Sequence, residues 1–385
     1  MRDAGSVFVR GVGFRPSRDA VGLAAPVTVT RDADHALRVM FLVSSSERGT
    51  ELAFEMQDPA RDAAARAGHA DYQWHTQMQV KLTEASGTPV THSRLGDSYG
   101  MGQQEFGFLR QELFFEQLSP DTRRLRLQIR GALGEWDIPL EMLPLGDTGV
   151  QAKVPDHAEQ GRHGITVRLR GVVATDAETI LDIEAVAAPP ARSTLAIGPW
   201  PPRHKREDLL ALIDERGRRL EEIRPTHRSH NWPQGSRTVA TFPALSADST
   251  NFTLIVPSIQ VAESEGTLDI ALPIYAPTEA VFGRCPITIR WADIVEDMRS
   301  APGAASTKGV ELHFKREGSD AERRVLRPGG ILVDGAKTWG FGFDYADPQG
   351  PVMKVQLPAS GTAKTVTLVD PIVEVRGRWE IHWRK

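Results

Sequence analysis

A chain of 385 residues is too long for one ordinary core and suits two or three domains. Its 40% hydrophobic and 25% charged residues exclude a disordered tail, and a net charge of −4 excludes the basic face of a nucleic-acid binder. A single cysteine, Cys285, excludes an internal disulfide and a cysteine-based zinc site.

Residues 1–25 are rich in Gly, Arg and Ala, with Val7-Phe-Val9 as their strand-like piece, and read as a lead-in segment. They hold no apolar signal-peptide region, and no run in the chain approaches the ~20 apolar residues needed to span a bilayer. Any membrane anchor would lie upstream of residue 1.

The first strong strand starts behind Pro26, at Val27-Thr-Val29, where β-branched residues alternate after a breaker. Leu37–Val43 and Glu51–Phe54 follow as strands. Residues 60–68, ARDAAARAG, suit a helix, started by Asp58-Pro59 and stopped by Gly68. Next comes Leu82-Thr-Glu-Ala-Ser-Gly87-Thr-Pro-Val90, with an acidic residue and a glycine between apolar runs, which is hairpin chemistry.

Residues 115–140, FEQLSPDTRRLRLQIRGALGEWDIPL, are one unit of a repeat. Their opening, Phe-x-x-Leu-Ser-x-Asp-[Ser/Thr], returns at 242–254 as FPALSADSTNFTL. Their closing, Gly134-Glu-Trp136-Asp-Ile138, returns as Gly266-Thr-Leu268-Asp-Ile270 and as Gly377-Arg-Trp379-Glu-Ile381. Trp136, Ile138 and Leu140 alternate with polar or small residues, so one strand face is buried. Leu125-Arg-Leu127-Gln-Ile129 does the same, and the two strands form a hairpin through Gly131–Gly134. Trp136 and Trp379 are therefore read as core anchors.

The polar, glycine-bearing stretch 145–164 reads as a linker. Strand starts recur at Ile165-Thr-Val167 and Ile287-Thr-Ile289. With the start at 27 they divide the chain into units at 26–145, 162–284 and 285–385, each of ordinary domain size. Residues 205–224 have helical periodicity, but Leu212–Leu220 aligns with Leu82–Val90, so this half is expected to be strand, turn and strand. Leu332-Val-Asp334-Gly335 is its third counterpart. The join at 275–285 is short and stiff, and 298–309 is a loop.

The combined pattern, L-x-D-x-x-G-x-x-[VL], then F-x-x-L-x-x-[ST]-x-x-L-x-L, then G-x-W-x-I-x-[LW], resembles the immunoglobulin-like extracytoplasmic modules of unknown function in bacterial anti-sigma-factor-like membrane proteins. The resemblance covers 27–385 and implies an all-β fold of tandem immunoglobulin-like β-sandwiches. It implies an extracytoplasmic place in a bacterial cell envelope, with an unknown protein or glycan as partner. The family's cytoplasmic segment and transmembrane helix have no counterpart here, so sigma-factor regulation does not carry over. Arginine outnumbers lysine 37 to 9, which fits GC-rich bacterial coding.

Motifs for chemistry are sparse. His227 and His230 are bracketed by Pro225 and Pro233, which opposes the helix that would align them on a metal. His69 and His75, around Tyr72 and Trp74, read as loop residues. Gly11-Val-Gly13 lacks the third glycine and the helix of a phosphate cradle, and no nucleophile elbow is present. Glu51 and Glu55 form one of many acidic pairs and carry no glycosidase signal. Asn251-Phe-Thr253 is a sequon inside a repeat strand, and Cys285 reads as a buried inert thiol. The expectation is a non-enzymatic protein with no catalytic, metal or cofactor residues, serving envelope sensing, spacing or protein binding. The alternative is a carbohydrate-binding or adhesive β-sandwich array, which an exposed platform of Trp200 and Trp232 would favour.

Overall fold

The computed structural model describes residues 6–10, 12–31, 36–57, 79–92, 108–131, 134–189, 191–198, 209–223, 230–232, 235–263, 266–298, 307–315, 322–338, 341–344, 349–357 and 361–385. The chain divides into two compact units, Met1–Val154 and Pro155–Lys385. Strands dominate both, and all the pairings described are antiparallel, as the short alternating apolar runs between turns require. The proposed helix at 60–68 lies outside the described residues.

In the first unit the strands are β1 (Ser6–Val9), β2 (Gly13–Pro16), β3 (Val21–Leu23), β4 (Val27–Thr30), β5 (Ala36–Ser45), β6 (Gly49–Gln57), β7 (Gln79–Glu84), β8 (Phe108–Phe115), β9 (Arg124–Gly131), β10 (Gly134–Pro144) and β11 (Val150–Gln151). A single helical turn, α1 (Leu145–Thr148), follows β10. The main sheet runs β7-β9-β10-β3-β5-β6-β8, with β4 beside β5. It turns a corner inside β10, whose Gly134–Glu141 pair with β9 while Met142–Pro144 pair with β3. Beyond the Gly87 turn the chain doubles back along β7 and reaches β8 through a bridge from His92 to Phe115, closing the ring. Inside sits the first core, with Leu37, Val39, Leu52 and Phe54 from one side and Leu82, Leu127, Ile129, Trp136 and Ile138 from the other.

Residues 6–23, which composition suggests are a lead-in, form three strands of this unit. The β1–β2 hairpin, with β11 on its other edge, covers Val43 on the outer face of the ring, where Val7, Ala20 and Leu145 cluster with it. Arg15 is only 3% exposed, and its guanidinium donates to both carboxylate oxygens of Glu51 at 2.7 and 2.9 Å. A buried arginine is tolerated because a partner 36 residues away neutralises it, and local composition does not reveal that pairing. The polar stretch 145–164 is also partly built in. Leu145 is fully buried with its N–H on the Ala20 carbonyl, β11 pairs with β1, and Ala158 joins the core of the second unit.

The second unit holds β12 (Glu159–Arg162), β13 (Ile165–Ala174), β14 (Glu178–Ala187), β15 (Ala191–Ile197), β16 (Ala211–Asp214), β17 (Arg219–Glu221), β18 (His230–Trp232), β19 (Gly235–Pro243) and β20 (Asn251–Glu263). They are followed by β21 (Thr267–Ala271), β22 (Thr278–Phe282), β23 (Cys285–Met298), β24 (Thr307–Phe314), β25 (Arg323–Val333), β26 (Ala336–Thr338), β27 (Phe341–Asp344), β28 (Val352–Gln356) and β29 (Thr365–Arg384). A long sheet, β17-β16-β20-β29-β25-β26, has five-stranded sheets packed on it: β12-β13-β14-β19-β18 and β22-β23-β24-β28-β27. The second core lies between the first of these and the long sheet, with Leu181, Ile183 and Phe242 facing Leu254, Val256, Trp379 and Ile381. The third core lies against the other, with Val310, Leu312 and Val355 facing Ile270, Ile331, Val366 and Leu368.

One 20-residue strand, β29, joins the two cores. Its C-terminal half pairs with β20, from Ala262↔Ile372 to Asn251↔Arg384, and its N-terminal half pairs with β21, from Thr267↔Val369 to Ala271↔Thr365. β25 crosses the same junction, laying Arg323–Val325 against Val373–Val375 and Gly330–Val333 against Val366–Val369. Buried charges are paired at this crossing. Glu374, fully buried, accepts from Arg324 at 2.5 Å and from Ser258 at 3.1 Å, and Glu263, 2% exposed, accepts from Arg284 at 2.7 Å and from Arg323.

The repeat motifs have physical roles. In the opening motif Leu118 and Leu245 are buried plugs, while Ser119 Oγ and Ser246 Oγ accept the N–H two residues on and hold the turn. The hairpin motif takes the shape expected at each place. Glu84–Thr88 and Asp214–Arg218 close the same pair of backbone hydrogen bonds around Gly87 and Gly217, both at positive φ, so the strand-turn-strand reading of 211–221 holds. In the third case Asp334 and Gly335 are both at positive φ, a two-residue hairpin turn.

Candidate functional site

A recess that groups several polar side chains opens at one end of the second core, where three elements of distant sequence meet. The end of β16 supplies Asp214 and Glu215, the start of β20 supplies Asn251, Phe252 and Thr253, and the end of β29 supplies His382, Trp383 and Arg384, around an open cleft of about 310 Å³. Antiparallel pairing fixes the assembly, since Asp214 faces Phe252 and Phe252 faces Trp383.

The carboxylates serve the backbone. Asp214 Oδ1 accepts the N–H groups of Arg216 at 3.0 Å and Arg218 at 2.8 Å, and its Oδ2 accepts the Ser249 hydroxyl at 3.3 Å. Burial alone would raise its pKa, but these hydrogen bonds outweigh it and hold the carboxyl below its ordinary value. Glu215 Oε2 accepts the Asn251 N–H at 2.7 Å and the Thr250 N–H at 3.2 Å. The Asn251 N–H is the largest influence on it, and the carboxyl is held below the ordinary glutamate value against the pull of burial. Asn251 Nδ2 donates to the same oxygen at 3.2 Å, which commits the sequon amide to the protein.

The cleft wall is aromatic. Phe252 and Trp383 stack with centroids 5.1 Å apart and planes 27° apart, and the buried Trp383 Nε1 has no partner among the described residues. Thr253 Oγ1 and His382 Nδ1 lie 2.9 Å apart as direct cross-strand neighbours on the exposed face. A nucleophile needs a base that is itself oriented by a third group and a set of oxyanion donors. What the geometry here supplies is a cross-strand pair of the kind that stabilises sheets.

The residues singled out in the sequence fall elsewhere. Trp136 and Trp379 are buried core anchors, as their alternation predicts. Cys285 is buried, with its Sγ donating to the Gly283 carbonyl at 3.3 Å. Glu51 is spent on Arg15, and Gly13 opens β2 at positive φ. His69, Tyr72, Trp74, His75, Trp200 and His227 lie outside the described residues. His230 and Trp232 bound β18, where their backbones pair with Arg237 and Gly235. Among the described residues no group of three or more His, Cys, Asp and Glu could hold a metal ion. Glu215 and His382 carry no signal as site residues in the sequence, whereas Trp383 fills the last position of the closing motif, by alternation from Trp379 and Ile381.

No protein-family model matches the chain, and no curated protein matches it. A solved structure described as the crystal structure of the conserved domain protein from Bacillus anthracis is similar at 10% identity and a TM-score of 0.31, over 68% of this chain and 84% of that one.

Proposed function

We propose that the protein is a non-enzymatic, immunoglobulin-like repeat protein of a bacterial cell envelope, acting outside the cytoplasm in sensing, spacing or protein binding. Its repeats would be 26–145, 162–284 and 285–385, and its partner a protein or glycan of the envelope. The observation that carries this reading is the commitment of polar groups to the fold. In the cleft, Asp214 and Glu215 hold turns and strand ends, and buried charge pairs such as Arg15–Glu51 and Glu374–Arg324 tie strands together. A protein so built works through its loops, edges and spacing. A lone buried cysteine is compatible with a reducing compartment and equally with an exported bacterial protein that does without disulfides.

The test is protease accessibility of the tagged full-length chain in its native cells. Digestion in intact cells, or after permeabilising only the outer layer, is the expected result. Digestion only after cytosolic release would overturn the placement.

A further inference from the structure

The three copies of the closing motif sit in their grooves in one register. In the first core Trp136 faces Ile129 and Ile138 faces Leu127, within a hairpin closed between Gly131 and Gly134. In the second core Trp379 faces Val256 and Ile381 faces Leu254; in the third, Leu268 faces Leu368 and Ile270 faces Val366. Val256 and Leu368 hold the place that Ile129 holds in the repeat. Each groove therefore receives the same strand at the same height. The difference lies in origin: the copy that follows β20 directly, Gly266–Ala271, closes the third core, and the copy at Gly377–Arg384 closes the second. Two hairpins have been opened at their turns and paired with one another, which leaves β20 and β21 facing β29 along nearly its whole length.

Local order favours the opposite arrangement, because the nearer strand closes the smaller loop. The side chains decide against it. The fully buried Trp379 ring lies over Gly377, where a Cβ would come within 2.8 Å of it, and stands edge-on to His163. Its Nε1 donates to the Ile165 carbonyl at 3.2 Å. Two residues beyond Ile381, Trp383 stacks on Phe252. With Leu268, Ile270 and Leu272 in these places, the second core would lose two indoles and the Ile165 bond, leaving voids that the rest of the sheet cannot fill. The third core, where Leu268 is only partly buried, makes no such demand.

We propose that the second core is a strand-binding groove that selects the distant segment 371–385 over the adjacent copy by side-chain size, with Trp379 against Leu268 as the deciding pair. Its ligand class is an extended segment of pattern Trp-x-Ile-x-Trp.

The test uses the full chain carrying Cys285→Ala. Thr253→Cys is combined either with His382→Cys, its present cross-strand partner, or with Ala271→Cys, which stands three residues past Leu268 as His382 stands three past Trp379. Under mild oxidation the 253–382 pair should close and the 253–271 pair should stay open; the reverse overturns the proposal. Exchanging the two side chains, Trp379→Leu with Leu268→Trp, should make 253–271 the dominant disulfide, and unchanged pairing overturns it. If circular dichroism shows that this variant is unfolded, the Cys285→Ala chain carrying Thr253→Cys and His382→Cys is refolded with excess synthetic peptide 371–385. That peptide should suppress the 253–382 disulfide about tenfold more effectively than its Trp379→Leu form, a factor set by differential affinity. Equal potency of the two peptides rejects size selection.

Discussion

The indole nitrogen of Trp379 donates to the main-chain oxygen of Ile165, 214 residues earlier, at 3.2 Å. This bond fastens the last strand of the chain to the first long strand of the second core. Trp379→Ala removes a fully buried side chain and that bond together, so a loss of ~3–5 kcal/mol is expected in chemical denaturation. A change under about 1 kcal/mol would mean that the groove collapses without cost.

The ladder formed by β20 and β21 with β29 predicts that the second and third cores unfold together. Native-state hydrogen exchange should assign the amides of Leu254 and Val366 the same opening free energy. Trp379→Ala, which touches only the second core, should lower both. Persistent protection at Val366 would show that the cores are independent.

Gly377 tests packing separately from backbone conformation. A Cβ there would lie 2.8 Å from the Trp379 ring and 2.9 Å from His163, so Gly377→Ala should cost ~1–3 kcal/mol by overpacking. At Gly217 a Cβ meets nothing within 4 Å, but φ is +79°, and Gly217→Ala should cost about 1 kcal/mol through strain. Equal tolerance at both sites in thermal melts would contradict the account of Gly377.

Acid should loosen the cleft. Glu215 is held below its ordinary value of 4.5 chiefly by the Asn251 N–H, so its folded-state pKa lies under its unfolded one. Its stabilisation is then complete above 4.5 and is lost as the pH falls through the lowered folded value. Asp214 follows the same sign, since hydrogen bonds from Arg218 and Arg216 outweigh its burial. Melting temperature measured against pH should show a shallower acid slope for Glu215→Gln than for the parent. Identical slopes would count against the carboxylate's role.

The buried pair in the first unit gives a double-mutant test. Glu51→Ala leaves Arg15 without its bidentate partner in a buried site and should cost ~3–5 kcal/mol, whereas Arg15→Met with Glu51→Leu should recover most of it. Failure of the double variant to recover would mean that the pair itself specifies how the N-terminal hairpin docks.

Strand positions, the hairpin through Gly131–Gly134 and turn chemistry were legible in the sequence because they are local. Alternation predicts which face of Trp136 and Trp379 is buried, and Gly87, Gly217 and Gly335 mark hairpins where the backbone needs positive φ. The partner of a closing strand is not local. Gly266-Thr-Leu268-Asp-Ile270 reads equally well as the end of either neighbouring repeat, and the choice depends on partners as distant as Thr367, which pairs with Asp269 98 positions away. The N-terminal hairpin was hidden for a similar reason, since Arg15 looks like a surface residue until Glu51 is placed beside it. The cleft was hidden because Glu215 acts on the backbone of a segment 36 residues away, and only Trp383 follows from a repeated pattern.

The crossing of β29 also bears on synthesis. A chain leaving the ribosome can complete its first core once β10 has emerged through Pro144, because β10 closes on the β9 and β3 made before it. The second core cannot close at the corresponding point, for Trp379, the cross-strand partner of Val256, is made 123 residues after it. Until then β20 offers an unpaired edge of apolar residues, Phe252, Leu254 and Val256, to whatever is nearby. The second core thus stays open on its β29 side until the final segment has been made, unlike a sheet whose strands pair in chain order.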